Sequence, residues 1–74
     1  MTRYKNLSGT SGVRKYSISA DHIDVQFSDG ETYRYSHRAP GRTHVEKMKE
    51  LAEAGSGLAT YINKYVRDNY ERKF

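Results

Sequence analysis

A chain of 74 residues makes one small domain, which buries only about 60–65% of the surface its unfolded form exposes and so holds a thin stability margin. It has no cysteine, which excludes a disulfide framework and thiolate metal ligation, and its histidines, His22, His37 and His44, match no zinc spacing. The net charge of +4 is segregated: Arg3, Lys5, Arg14 and Lys15 come first, then Asp21, Asp24, Asp29 and Glu31, then Arg34, Arg38 and Arg42.

Such alternation either separates cationic and anionic patches or lets neighbouring strands pair their charges. Met1-Thr2-Arg3-Tyr4-Lys5 opens no apolar run. No segment reaches the roughly 18 apolar residues of a membrane helix, so a soluble cytoplasmic protein with no membrane partner is expected.

Residues 1–9 read as a flexible lead, because they are polar and Asn6 to Gly12 is loop-like by composition. The single domain then covers 10–74, with order from about Val13. Val13 to Ser19 predicts a strand. A second follows Asp21, with Ile23, Val25 and Phe27 alternating against His22, Asp24 and Gln26.

Ser28-Asp29-Gly30 is the strongest turn signal. A two-residue loop would set Val25 opposite Arg34. A three-residue loop with Gly30 in the left-handed region sets Val25 opposite Tyr33 and Ile23 opposite Tyr35. The second register is expected, since it puts both tyrosines on the apolar face and turns Thr32, Arg34 and Ser36 away.

Helical signals take over at Thr43-x-x-Glu46, which has capping-box spacing, and Val45, Met48, Leu51 and Ala52 form a stripe. A helix from about 44 to 54 is predicted, with Gly55 at its left-handed end. Beyond Ser56-Gly57, Leu58, Ile62, Tyr65, Val66 and Asn69 share one side of a second helix, flanked by Tyr61 and Tyr70. Lys64, Arg67, Asp68 and Glu71 face solvent. The fold class is α+β: a three-stranded antiparallel β-meander followed by a two-helix hairpin packed on one face.

The run Ile23-x-Val25-x-Phe27-x-x-Gly30-x-x-Tyr33-x-Tyr35 follows Thr10-Ser11-Gly12-Val13 and Tyr16. After it come Pro40, Ala54-Gly55-Ser56-Gly57 and Tyr61-Ile62-Asn63-x-x-Val66-Arg67-x-x-Tyr70. Over residues 10–70 this order resembles the KTSC domain, a small module named for its occurrence at the C-terminus of some lysyl-tRNA synthetases. The chain departs from that pattern in the position of Pro40, in the glycine after Ser11 and in the Ser-Gly pair before Asn63. The resemblance implies a fold rather than an activity, and the synthetase association points to RNA.

Between Tyr33 and His44 lie three arginines, two histidines and two tyrosines with no carboxylate. Arginine forks match phosphate and tyrosine offers a flat face to a base, so an anion is the partner to expect. Arg34, Arg38, Arg42 and His44 are the candidate nucleic-acid or anion-binding residues, with Arg14 and Lys15 adding charge. The plain alternative is a solvated loop paired with Glu46 or Asp24. Stacking of bases on Tyr33 and Tyr35 is opposed by the register, which packs them beneath the helices.

Gly55-Ser56-Gly57 has no Walker-A lysine and reads as a turn. No catalytic arrangement, metal or cofactor is expected. The reading is a non-enzymatic basic module for RNA or single-stranded nucleic acid, of low specificity. The rival is a protein-interaction or homo-oligomerising accessory module of phage or plasmid type. A third, sequestration of a small nucleotide, requires a concave site.

Overall fold

The alternation of Ile23 and Val25 is realised in full: both are completely buried in the computed structural model, which describes residues 1–74. They lie on strand β3 (His22–Phe27), between β2 (Val13–Ile18) and β4 (Thr32–Ser36), all antiparallel. Val25 pairs with Tyr33 and Ile23 with Tyr35, as the three-residue loop requires. Phe27 N–H donates to Glu31 O at 2.9 Å, and Gly30, at φ 91°, closes the turn on Phe27 O.

The sheet has five strands, not three. Strand β1 (Thr2–Arg3) lies outside β2, and β5 (Arg72–Lys73) outside β4, in the order β1-β2-β3-β4-β5. Within the segment expected as a flexible lead, Thr2 pairs with Tyr16 and Arg3 with Lys15, and Tyr4 is 3% exposed in the core. Burial of one aromatic ring holds down a segment whose composition is that of a loop. Both edge strands are short and carry Arg or Lys, which discourages pairing with another chain.

Helix α1 (Arg42–Ala54) buries Val45, Met48 and Ala52 against the sheet, and Gly55 ends it at φ 76°. Its start differs from the expectation. Gly41, not Thr43, is the N-cap, and no side chain caps the helix. Ser36 organises the preceding turn instead, its Oγ accepting from the N–H groups of Arg38 and Ala39 at 3.2 and 3.3 Å.

Helix α2 (Leu58–Tyr61) continues as a π-helical segment, Ile62–Val66, closed by Arg67 N–H on Ile62 O. The chain leaves the helix at Arg67 (φ 17°, ψ −91°). Leu58, Ile62 and Val66 are buried, whereas Tyr65 is 55% exposed and Asn69 is also outside the core. The expected helix through Asn69 is cut short because the chain turns back to lay Tyr70 on Tyr33 and Tyr35, at ring distances of 4.8 and 6.4 Å. All the helical packing falls on the Ile23, Val25 and Tyr35 side. The opposite face of the sheet carries no helix.

Candidate nucleic-acid interface

Strand alternation decides what the helix-free face presents, because residues paired across antiparallel strands point the same way. Since Tyr33 and Tyr35 face the core, Arg34 faces out. The pairings then carry the outward face from Arg34 to Asp24 on one side and to Arg72 on the other. Lys15 is paired with both Gln26 and Arg3, and Gln26 with Thr32, so these residues share that face.

At its β4–β5 end is Phe74, 55% exposed, whose N–H donates to Thr32 O at 2.9 Å. The guanidinium carbons of Arg34 and Arg72 lie 5.1 and 4.8 Å from the Phe74 ring centre. That is within cation–π range and keeps both arginines extended over the sheet. Arg3, Lys15, Arg34 and Arg72 thus share the face with one carboxylate among the paired positions, Asp24.

Asp24 is fully engaged. Arg34 donates to it in a fork, Nε to Oδ1 at 2.8 Å and a terminal nitrogen to Oδ2 at 3.1 Å. This bonding pushes the arginine's already high pKa upward. Arg34 therefore spends two of its five donors inside the protein and keeps the others for a ligand.

Of the other expected residues only Lys15 shares this face. Arg38 is exposed in the β4–α1 turn and Arg42 is exposed at the first position of α1; neither forms an ion pair. Their spacing of four in sequence is not a spacing in space, because the chain passes from strand to turn to helix between them. Lys15 is exposed on the open face, and Arg14 is exposed at the bulge between Val13 and Lys15.

His44 lies on the helical side, its Nδ1 2.7 Å from the Tyr61 hydroxyl and its ring stacked near Tyr65 at 6.2 Å. It is thereby committed to an aromatic cluster. At the same end of α1, Glu46 lies 2.9 Å from both His37 Nε2 and Lys49 Nζ. The hydrogen bond with His37, followed by that with Lys49, holds this carboxyl below its ordinary range.

Arg3, Arg72 and Phe74 were not singled out from the sequence. A two-residue strand has no period to detect, and Tyr70, which turns inward, precedes the strand that turns Arg72 and Phe74 outward. No helix is long and apolar enough to cross a membrane. Comparison with protein-family models, with curated proteins and with solved structures finds no match.

Proposed function

We propose that the protein is a small, non-enzymatic, KTSC-like module that binds single-stranded nucleic acid, RNA in particular, on the helix-free face of its sheet. The observation that carries this reading is the exposed Phe74 ring flanked by two guanidinium groups, with Lys15 and Arg3 on the same face. A base stacks on the ring or on a guanidinium plane, and the cations receive phosphates. Gln26 and Thr32 supply few groups for reading base edges, so sequence preference is weak. The association of the KTSC resemblance with a tRNA synthetase agrees with an RNA partner.

The test is anisotropy of a labelled short RNA against salt. Three neutralised phosphates give a log-affinity slope of about −2, at roughly −0.7 each. Phe74→Ala is expected to weaken binding by about 1–3 kcal/mol, the usual worth of one stacked base. Arg3→Gln, Lys15→Gln and Arg72→Gln together should flatten the slope, while Arg38→Gln with Arg42→Gln leaves it unchanged. If the second pair flattens it instead, the interface belongs to the β4–α1 turn; no binding at about 50 mM salt rejects the RNA reading.

One observation favours the protein-interaction reading. Tyr65, 55% exposed, lies 4.7 Å from the Tyr61 ring and stacks on His44, forming an aromatic patch on the second helical segment. In sedimentation velocity, self-association through this patch would appear as a dimer that Tyr65→Ser returns to monomer. A wild-type monomer at all concentrations leaves self-association without support.

A further inference from the structure

On the helical side, away from the basic face, the hairpin tip and the π-helical segment border an open cavity of about 350 Å³. Its apolar wall is Ile62 and four aromatic rings, those of Phe27, Tyr33, Tyr35 and Tyr70. Across Gly12 and Asn63 it adjoins a second cavity of about 250 Å³, whose wall is hydroxyl-rich through Ser8, Thr10, Ser11 and Thr60. One groove thus has an aromatic compartment beside a hydroxylic one.

Tyr35 separates this groove from an ordinary surface crevice. The residue is only 1% exposed, yet its hydroxyl has no hydrogen-bond partner in the chain and is not sealed from solvent. The cavity whose wall it forms gives it that contact. Burial, the leading cause, raises the pKa of this phenol well above its ordinary value, so at neutral pH the group is an O–H donor held in a nearly dry place. In the free protein this donor is met through the cavity by water, and a ligand acceptor takes the water's place.

The other polar groups of the aromatic compartment narrow the ligand. Asp29 and Asp68 accept hydrogen bonds, Asn63 does both, and Arg67 is the single cation. Two carboxylates against one guanidinium oppose a multiply charged phosphate and favour a neutral ring whose edge carries N–H donors. The π-helical widening at Ile62–Val66, with the break at Arg67, lies beside this wall; such bulges recur where a helix borders a ligand.

We propose that the groove binds a purine nucleoside, guanosine ahead of adenosine. The base lies against Tyr33 and Tyr70, its N–H edge toward a carboxylate and its carbonyl oxygen toward the Tyr35 hydroxyl, while the sugar occupies the hydroxylic compartment. Guanine fits best because it pairs adjacent N–H donors with an adjacent carbonyl acceptor. The same base has two sources, a free nucleoside or the end of an RNA strand. This inference does not depend on the sheet-face reading, since the two sites use different residues on opposite sides of the sheet.

The experiment is an NMR titration of the full chain with guanosine, adenosine, uridine and a G-ended trinucleotide. Guanosine is expected to shift the amides of Gly12, Asn63, Asp68 and Tyr70 and to leave those of Arg3, Lys15 and Arg72 unmoved. Tyr35→Phe, which keeps the ring, should weaken this binding roughly 3- to 10-fold, the worth of one neutral hydrogen bond. Its melting curve checks that the fold is retained. If Tyr35→Phe unfolds, Asn63→Ala at the exposed rim serves in its place, with the same loss expected.

A trinucleotide that moves both residue sets assigns the base to a strand end; one that moves only the sheet-face set assigns the groove to the free nucleoside. Uridine shifting the groove as strongly as guanosine, guanosine shifting only the sheet face, or unchanged affinity in the folded variant overturns the proposal. Weakened RNA binding in Phe74→Ala, with guanosine still shifting the groove, separates the two sites.

Discussion

Replacing Tyr4 by alanine is expected to destabilise the domain by about 3–5 kcal/mol, the range for truncating a buried aromatic. At about 0.05–0.15 kcal/mol per residue, a chain of this size holds roughly 4–11 kcal/mol in all, so the variant loses a large share of its stability and, at the low end of that range, is unfolded at room temperature. The loss has two parts. The ring, 3% exposed, is part of the core cluster with Leu58, Ile62 and Val66. The hydroxyl accepts the Leu58 N–H at 3.3 Å, in a buried position at the first turn of α2 where no intrahelical carbonyl can serve.

Tyr4→Phe keeps the ring and removes only the acceptor, and is expected to cost about 1 kcal/mol. Urea midpoints of the two variants against wild type measure both parts. If Tyr4→Ala melts with the wild type, residues 1–9 are the flexible lead their composition describes, and β1 does not contribute to the fold.

The contrast between Tyr4 and Gly30 shows what is legible in such a sequence. The β3–β4 hairpin is a local structure: Asp29-Gly30 bounds it, the alternation of Ile23, Val25 and Phe27 gives its faces, and only one loop length puts Tyr33 and Tyr35 with them. The same register places Asp24 opposite Arg34, so the internal pairing of that arginine followed from the strand pattern. The stripe of α1 and its left-handed end at Gly55 were equally local.

What was missed is non-local. Tyr4 becomes core only because Leu58 lies above it, 54 positions away. Strands β1 and β5, of two residues each, form because a prebuilt meander offers them free edges. The capping box at Thr43 lost to the turn built on Ser36, whose hydroxyl meets two backbone amides and leaves Gly41 as the first residue outside the helix. The basic run lost its unity for a similar reason, since strand, turn and helix send Arg34, Arg38 and Arg42 in three directions. Phe74 gained its place on the open face from β5.

Gly55→Ala is expected to cost about 2–4 kcal/mol, from two separable causes. Gly55 sits at φ 76°, with its N–H directed to the carbonyls of Leu51 and Ala52. A side chain in that left-handed conformation costs about 1 kcal/mol by itself. An added Cβ would also lie 2.5 Å from Lys5 Cβ. Lys5 Cβ cannot rotate aside as the end of a long side chain could; it moves only with its backbone.

That backbone is held on both sides, by Tyr4 in the core and by the Leu7 N–H, which donates to Gly55 O at 2.8 Å. Relieving the collision therefore means lifting the N-terminal segment off the helix end, and overpacking of this kind adds about 1–3 kcal/mol. Gly30→Ala is the control: φ is 91° there but nothing lies within 4 Å of the new Cβ, so only the conformational part, about 1 kcal/mol, is expected.

Lys5→Gly in the Gly55→Ala background removes the colliding atom and should return the steric part while leaving the conformational part, so the double-mutant cycle shows a strong favourable coupling. Equal midpoints for Gly30→Ala and Gly55→Ala, with no coupling to Lys5, would mean that the segment does not pack on the helix end. The contact also reaches the function, because the segment that Gly55 admits is the one that carries Arg3 to the edge of the basic face. Gly55→Ala should therefore weaken RNA binding in the same measure as Arg3→Gln, although Gly55 lies on the other side of the sheet.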